Sequence, residues 1–238
     1  MTWSIIARDP RTVEVGIAVA TKFFAVGGRV PYLRAGVGAL ATQALVNPLY
    51  GRRGLGLLEI GVPAADVVRL LTEADAGLGV RQLHVMDREG RFAVHTGQDC
   101  VDWAGNAMGQ DCSCAGNMLS GPRVVSETVR VFEAATSLPM ARRLIAAMQA
   151  GEAAGGDKRG KQSAALVIVS TEEYADLDLR VDDHVDPLTE LARLEEVSRE
   201  RWAYYRKFLP RAGNPVGETD REVINAGIEA GIAAARGE

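Results

Sequence analysis

Thr2-Trp3-Ser4-Ile5-Ile6-Ala7-Arg8, then Asp9-Pro10-Arg11-Thr12, then Val13-Glu14-Val15-Gly16-Ile17-Ala18-Val19-Ala20: this opening decides how the chain is read. Two apolar runs flank a short polar segment containing proline, the pattern of a β-hairpin with a tight turn. The first strand starts at the second residue, where chain ends normally fray. Thr2 is small enough for an aminopeptidase to remove Met1 from in front of it, leaving a hydroxyl and a free α-amine on one residue. A side-chain nucleophile with its own amine as base is the threonine variant of the activated nucleophile. Such an amine titrates near pH ~7.7–8.0, close to where a general base works best. The plain alternative is that Met-Thr is a common way for a chain to begin. The immediate strand, the hairpin and the glycine-rich stretch after it add weight to the chemical reading without displacing the plain one.

The bulk numbers set the limits. A chain of 238 residues can bury one core with an appendage, or two small ones. With 27 basic residues against 31 acidic ones the net charge is −4, so no nucleic-acid partner is expected. No apolar run approaches the ~18 residues of a membrane span, and the start lacks the features of a secretory signal. A cytoplasmic protein without a membrane partner is the expectation. Cys100, Cys112 and Cys114 are an odd number of thiols at spacings that match no common zinc site, and His84, His95 and His184 are the only histidines. No metal site is expected from them.

Along the chain, Lys22 follows the second strand; it either snorkels to solvent or places a cation beside the nucleophile. Ala35 to Ala44 reads as one buried strand carrying Gln43. Asn47-Pro48 marks a helix start running to about Ile60, and Pro63 to Ala74 is a second helix. Arg81–Asp87 and Arg91–Thr96 form a hairpin in which His84 and His95 read as structural. Gly97 to Gln110 reads as a loop anchored by Trp103, and Cys112 to Leu119 as a strand containing Asn117. Two helices follow, the first to Ala135 and the second to about Ala150. The loop Gly155-Gly156-Asp157-Lys158-Arg159-Gly160-Lys161-Gln162-Ser163 is either a cradle for an anion or a solvated turn. Beyond it lie a strand, an edge strand over Asp176–Asp182, a long helix from Leu188 to about Leu209, and a last helix behind a Thr219–Glu222 capping box.

The order of strands and helix pairs fits a sheet-on-sheet core with helices outside. With Thr2 it resembles the N-terminal-nucleophile hydrolase fold, a four-layer αββα sandwich of the α+β class. More closely, it resembles a bacterial family usually labelled a domain of unknown function and assigned to that superfold. The resemblance is carried by Thr2–Asp9, Phe24-Ala25-Val26-Gly27, Arg34–Ala39, Ala41-Thr42-Gln43, Gly116-Asn117-Met118-Leu119, and Gly155-Gly156-Asp157 with Arg159-Gly160 and Gln162-Ser163. It implies a domain over residues 1–185, with 186–238 as a helical extension. It also implies hydrolysis of a small amide or peptide C–N bond, without metal or organic cofactor. Thr2 would attack through its hydroxyl, Lys22 would support it, and Asn117 would donate to the oxyanion. Gln43, Asp157, Arg159 and Gln162 would bind substrate, or in the case of the last three orient the amine.

Two other readings stay open. The same sandwich serves as a non-catalytic binding or assembly module, with the C-terminal helices holding a partner or a second copy. Alternatively, Cys100 or Cys112 acts with His95 as a cysteine hydrolase. The αββα hydrolase-like domain with its helical extension is expected to form a homo-oligomer, a dimer or higher.

Overall fold

A computed structural model describes residues 2–237 as a mixed α+β fold with two antiparallel sheets. The opening hairpin forms β1 (Thr2–Asp9) and β2 (Glu14–Thr21), registered outward from the turn so that Asp9 faces Glu14 and Thr2 faces Thr21. They sit at the centre of a six-stranded sheet. β7 (Gly105–Met108) and β8 (Cys112–Asn117) extend it on the β1 side, β9 (Ser163–Val169) and β10 (Leu177–Val181) on the β2 side. The second sheet has four strands in chain order: β3 (Pro31–Arg34), β4 (Gly38–Ala44), β5 (Arg81–Asp87) and β6 (Phe92–Thr96).

Side chains alternate between the two faces of a strand, and this sorts the core. Ile6, Ile17, Val19 and Ala165 of the first sheet form one buried cluster with Ala39, Ala41 and Met86 of the second. The other face of the second sheet presents Leu40, Leu83 and Val85. These pack with Tyr50 and Leu58 of α1 (Pro48–Glu59) and Val67 and Leu71 of α2 (Ala64–Glu73). Each fully buried side chain of this size stabilises by about 1.5–3 kcal/mol. On the first sheet, α3 (Arg123–Ala134) and α4 (Met140–Ala153) pack against its central strands. There α4 lies close to β2: a Cβ on Gly16 would be 2.6 Å from Leu144 Cδ1.

Several sequence expectations need correction. The strand expected from Ala35 begins at Gly38, and Pro31–Arg34 is a separate strand; Gly36 at φ 69° turns the chain between them. The segment expected as a loop from Gly97 contains β7, whose Gly-Asn-Ala-Met sequence has little strand propensity and takes its order from pairing with β8. The long helix from Leu188 is broken. α5 (Pro187–Ser198) ends where the Ser198 hydroxyl donates to the Glu195 carbonyl and Arg199 and Glu200 bond back to Glu196 and Val197, tightening the turn. α6 (Trp202–Tyr205) and a single 3-10 turn follow. In α7 (Arg221–Arg236) the cap is Asp220, which accepts from the amides of Glu222 and Val223, rather than Thr219.

The chain divides into two compact units, one ending at Leu191 and the other beginning at Ala192. No helix among the described residues is long and apolar enough to cross a membrane.

Candidate active site

The inter-sheet face of β1 carries Thr2, Ser4 and Ile6, so it runs from polar at the start of the strand to apolar further on. Strand pairing sets Asn117 beside Thr2 on β8 and Thr21 beside it on β2. The same face of the opposing sheet carries Gln43 on β4, with Gln82 and His84 on β5. One end of the inter-sheet space is therefore lined by hydroxyl, amide and imidazole groups, all of them buried.

Backbone carbonyls fix the polarity of this network. Gln43 Nε2 donates to the Ala115 carbonyl (3.0 Å) and to Gln82 Oε1 (2.9 Å), which leaves Gln43 Oε1 to accept from the Ser4 hydroxyl at 2.8 Å. Gln82 Nε2 donates to the Gly116 carbonyl at 2.9 Å, and its Oε1 also accepts from Asn117 Nδ2 at 3.1 Å. Because the Ser4 proton is committed to Gln43, His84 Nε2, 2.9 Å from Ser4 Oγ, must be the donor there. His84 Nδ1 then accepts from Ser113 Oγ at 3.1 Å. Complete burial pushes the imidazole pKa down to about 3. His84 is a neutral tie between the sheets, as its sequence context indicates.

Above this floor opens a cleft of about 300 Å³. Thr2, Thr21 and Gln43 form its polar part. One wall is Phe23, Val26 and Val30 from the segment leaving β2, and the other is Ala44, Leu45 and Val46 leaving β4. The first wall is held by Ser163, whose hydroxyl donates to the Phe23 carbonyl and accepts from the Val26 amide. In the second, the Leu45 amide donates to Val80, and the Arg81 guanidinium donates to the Leu45 carbonyl at 2.6 Å. Arg81 is itself anchored on Asp75, whose carboxyl the Tyr50 hydroxyl, the Gly77 amide and Arg81 hold well below the usual carboxylate range. Ala25 (φ 53°), Ala44 (φ 68°) and Met118 (φ 54°) occupy left-handed backbone beside the walls and beside Asn117. Such conformations cost about 1–2 kcal/mol in a residue with a Cβ and cluster at functional sites.

Thr2 is 8% exposed, and its hydroxyl donates to the Thr21 hydroxyl at 3.1 Å. Asn117 Nδ2 lies 3.4 Å from the Thr2 carbonyl, a weak contact that leaves one hydrogen available to redirect. The removal of Met1 expected from the sequence lies outside the described residues. Of the other expected site residues, only Gln43 reaches the cleft. Lys22 turns its ammonium to the Lys161 carbonyl at 3.3 Å. Asp157 has a fully buried side chain that accepts from the Lys22 and Arg159 amides (2.9 and 2.8 Å) and pairs with the Arg159 guanidinium. Gln162 donates to Asp183 on the surface. The Gly155–Ser163 loop is thus cross-linked to the chain just after Thr21 through Asp157 and Lys22.

The thiols do not form a second centre. Burial raises the Cys112 thiol to about 12, Cys100 Sγ lies on the Arg81 carbonyl, and His95 Nε2 lies 2.9 Å from the Leu78 carbonyl. Among the described residues no group of three or more His, Cys, Asp or Glu could hold a metal ion. Thr21, Ser4 and Gln82 were missed as site residues. The signal for Thr21 was present: counting outward from the Asp9–Thr12 turn places residue 21 opposite residue 2.

Residues 2–191 match a family of unknown function, DUF1028. The chain belongs to this family. A DUF1028 protein from Silicibacter pomeroyi, known from its crystal structure, is 32% identical and superposes with a TM-score of 0.85 over 92% of this chain and 99% of that one. Anbu (ancestral β-subunit) from Yersinia bercovieri gives a TM-score of 0.39 at 11% identity, over 82% of this chain and 94% of its own. An Anbu Gly-1 mutant from Hyphomicrobium sp. strain MC1 gives 0.40 at 12%, over 92% and 100%. No curated protein matches the sequence.

Proposed function

We propose that the chain hydrolyses the C–N bond of a small amide with Thr2 as N-terminal nucleophile. The fold in this reading is a four-layer αββα sandwich of the N-terminal-nucleophile type. The packing of α1 and α2 on one sheet and of α3 and α4 on the other supports that layering. The observation that carries the function is the position of the Thr2 hydroxyl, at the floor of a cleft between Thr21 and Asn117. A cleft of about 300 Å³ suits a small ligand.

With Met1 removed, the Thr2 α-amine takes the hydroxyl proton as Thr2 Oγ1 bonds to the amide carbon. The negative charge that develops on the substrate oxygen is met by the Asn117 amide, released from the Thr2 carbonyl. A single donor of this kind is worth about 10²–10³ in rate. The protonated amine then gives its proton to the leaving nitrogen as the C–N bond breaks, leaving an ester on Thr2. Water, deprotonated by the same amine, adds to that ester; the acid departs and the Thr2 hydroxyl is restored.

The test is the intact mass of protein expressed without an N-terminal tag, followed by exposure to a β-lactone. Loss of one methionine, then one stoichiometric adduct that is absent in Thr2→Ala, is the expected result. Retained Met1, or an adduct that persists in Thr2→Ala, rules the mechanism out. A non-catalytic module would then be the reading to pursue.

A further inference from the structure

The cleft has an uneven chemistry that goes beyond an amide-sized space. Its walls are apolar, and two of their side chains are left open to solvent: Phe23 is 58% exposed and Leu45 63%. No carboxylate lines it, although acidic residues outnumber basic ones in the chain. One charged side chain does, Arg29, in the segment that follows β2. Among the described residues the Arg29 guanidinium has no hydrogen-bonded or ion-paired partner. Elsewhere in the chain Arg11, Arg34, Arg69, Arg81 and Arg180 are each matched to an acid. An unmatched guanidinium at the edge of an apolar cleft is arranged to receive a planar anion by two parallel N–H bonds.

We infer that the substrate is a small amide with an apolar body and one carboxylate, the body lying between the Phe23–Val30 and Ala44–Val46 walls and the carboxylate resting on Arg29. This rests on the hydrolase reading of the same cleft.

The probes are hexanoate and hexan-1-ol, which share an apolar chain and differ in charge, and neither has an amide to cleave. Calorimetric titration of the wild-type protein at pH 7.5 and low salt is expected to give up to about fivefold tighter binding of hexanoate, because an exposed ion pair is worth up to about 1 kcal/mol. The preference should vanish in Arg29→Gln, survive in part in Arg29→Lys, and fade in 0.5 M NaCl. Thermal midpoints equal to wild type establish that both variants are folded. Equal binding of the two probes, binding of neither, or a preference that persists in Arg29→Gln overturns the inference. The lactone experiment reads Thr2 alone. Hexanoate selectivity without an adduct would retire the hydrolase and keep an anion-binding cleft, whereas an adduct without selectivity would retire only the role of Arg29.

Discussion

The Thr2 hydroxyl donates to the Thr21 hydroxyl at 3.1 Å, across the register pair that closes the β1–β2 ladder at the cleft. That bond fixes the χ1 of the proposed nucleophile and directs its oxygen lone pairs. Thr21→Val keeps the shape and removes the acceptor. A neutral hydrogen bond contributes about 0.5–1.5 kcal/mol, so acylation of Thr2 by a lactone should slow by about three- to tenfold. Thr21→Ser should stay near wild type. An unchanged rate in Thr21→Val would mean that Thr21 is only part of the ladder.

Gln82 is the junction of the buried polar network. Its amide donates to the Gly116 and Gly105 carbonyls and to Thr96, and its carbonyl accepts from Gln43 and Asn117. Gln82→Leu conserves volume and strands several of these groups in the interior, at about 1–3 kcal/mol each. We expect at least about 3 kcal/mol lower stability in urea unfolding. A smaller loss than about 1 kcal/mol would mean that water enters and satisfies them.

The opening hairpin was legible because apolar runs around a proline turn leave little choice of register, and the register alone sets Thr2 against Thr21. The edge strand β10 and the α3–α4 pair were equally plain. The walls of the cleft were not. They are made by the exits of β2 and β4, where Ala25 and Ala44 adopt left-handed backbone that their side chains do not announce. Lys22 shows the limit of spacing arguments: one residue past the strand, the chain has already turned, and its ammonium lies on the Lys161 carbonyl. Asp157 and Gln162 are bonded to the Lys22 amide and to the Asp183 carboxylate, partners distant in the chain that no local pattern reveals.

Buried His84 makes stability depend on pH. Its pKa is about 3 in the folded protein, against an ordinary value near 6.5. The unfolded chain therefore binds the extra proton between those values, and stability falls as pH drops below about 6.5. Above that pH the contribution is constant. Urea midpoints at pH 7.5, 6, 5 and 4 should decline, and the decline over this range should be shallower in His84→Gln. A decline of equal slope in the variant would place the effect on other groups. Asp9 is not one of them over this range: Arg11 holds its carboxyl at about 2, and its contribution is lost only as pH falls from about 3.8 towards 2.

Ala44 lines the cleft with φ 68°. Glycine removes the Cβ clash there, worth about 1–2 kcal/mol, at an entropic cost of about 0.5–1 kcal/mol. Ala44→Gly should therefore leave thermal stability equal or slightly raised. A fall of several degrees in the midpoint would show that the Ala44 methyl is packed in the wall.

Asp157 separates a structural role from a substrate-binding one. Its carboxylate accepts the amides of Lys22 and Arg159, and its side chain is closed to solvent. Asp157→Ala removes both acceptors, and bonds to a charged group contribute about 1.5–3 kcal/mol. Hydrogen exchange at the Lys22 and Arg159 amides should then speed up by about tenfold or more, since it reports local opening. Amides at the centre of β1, such as Ile5, should change only as far as global stability changes. If Asp157 instead contacts substrate, activity will fall while the Lys22 amide keeps its protection. Loss of both together, with Ile5 unchanged, would place Asp157 as the clamp that holds the segment after Thr21 in position for Thr2.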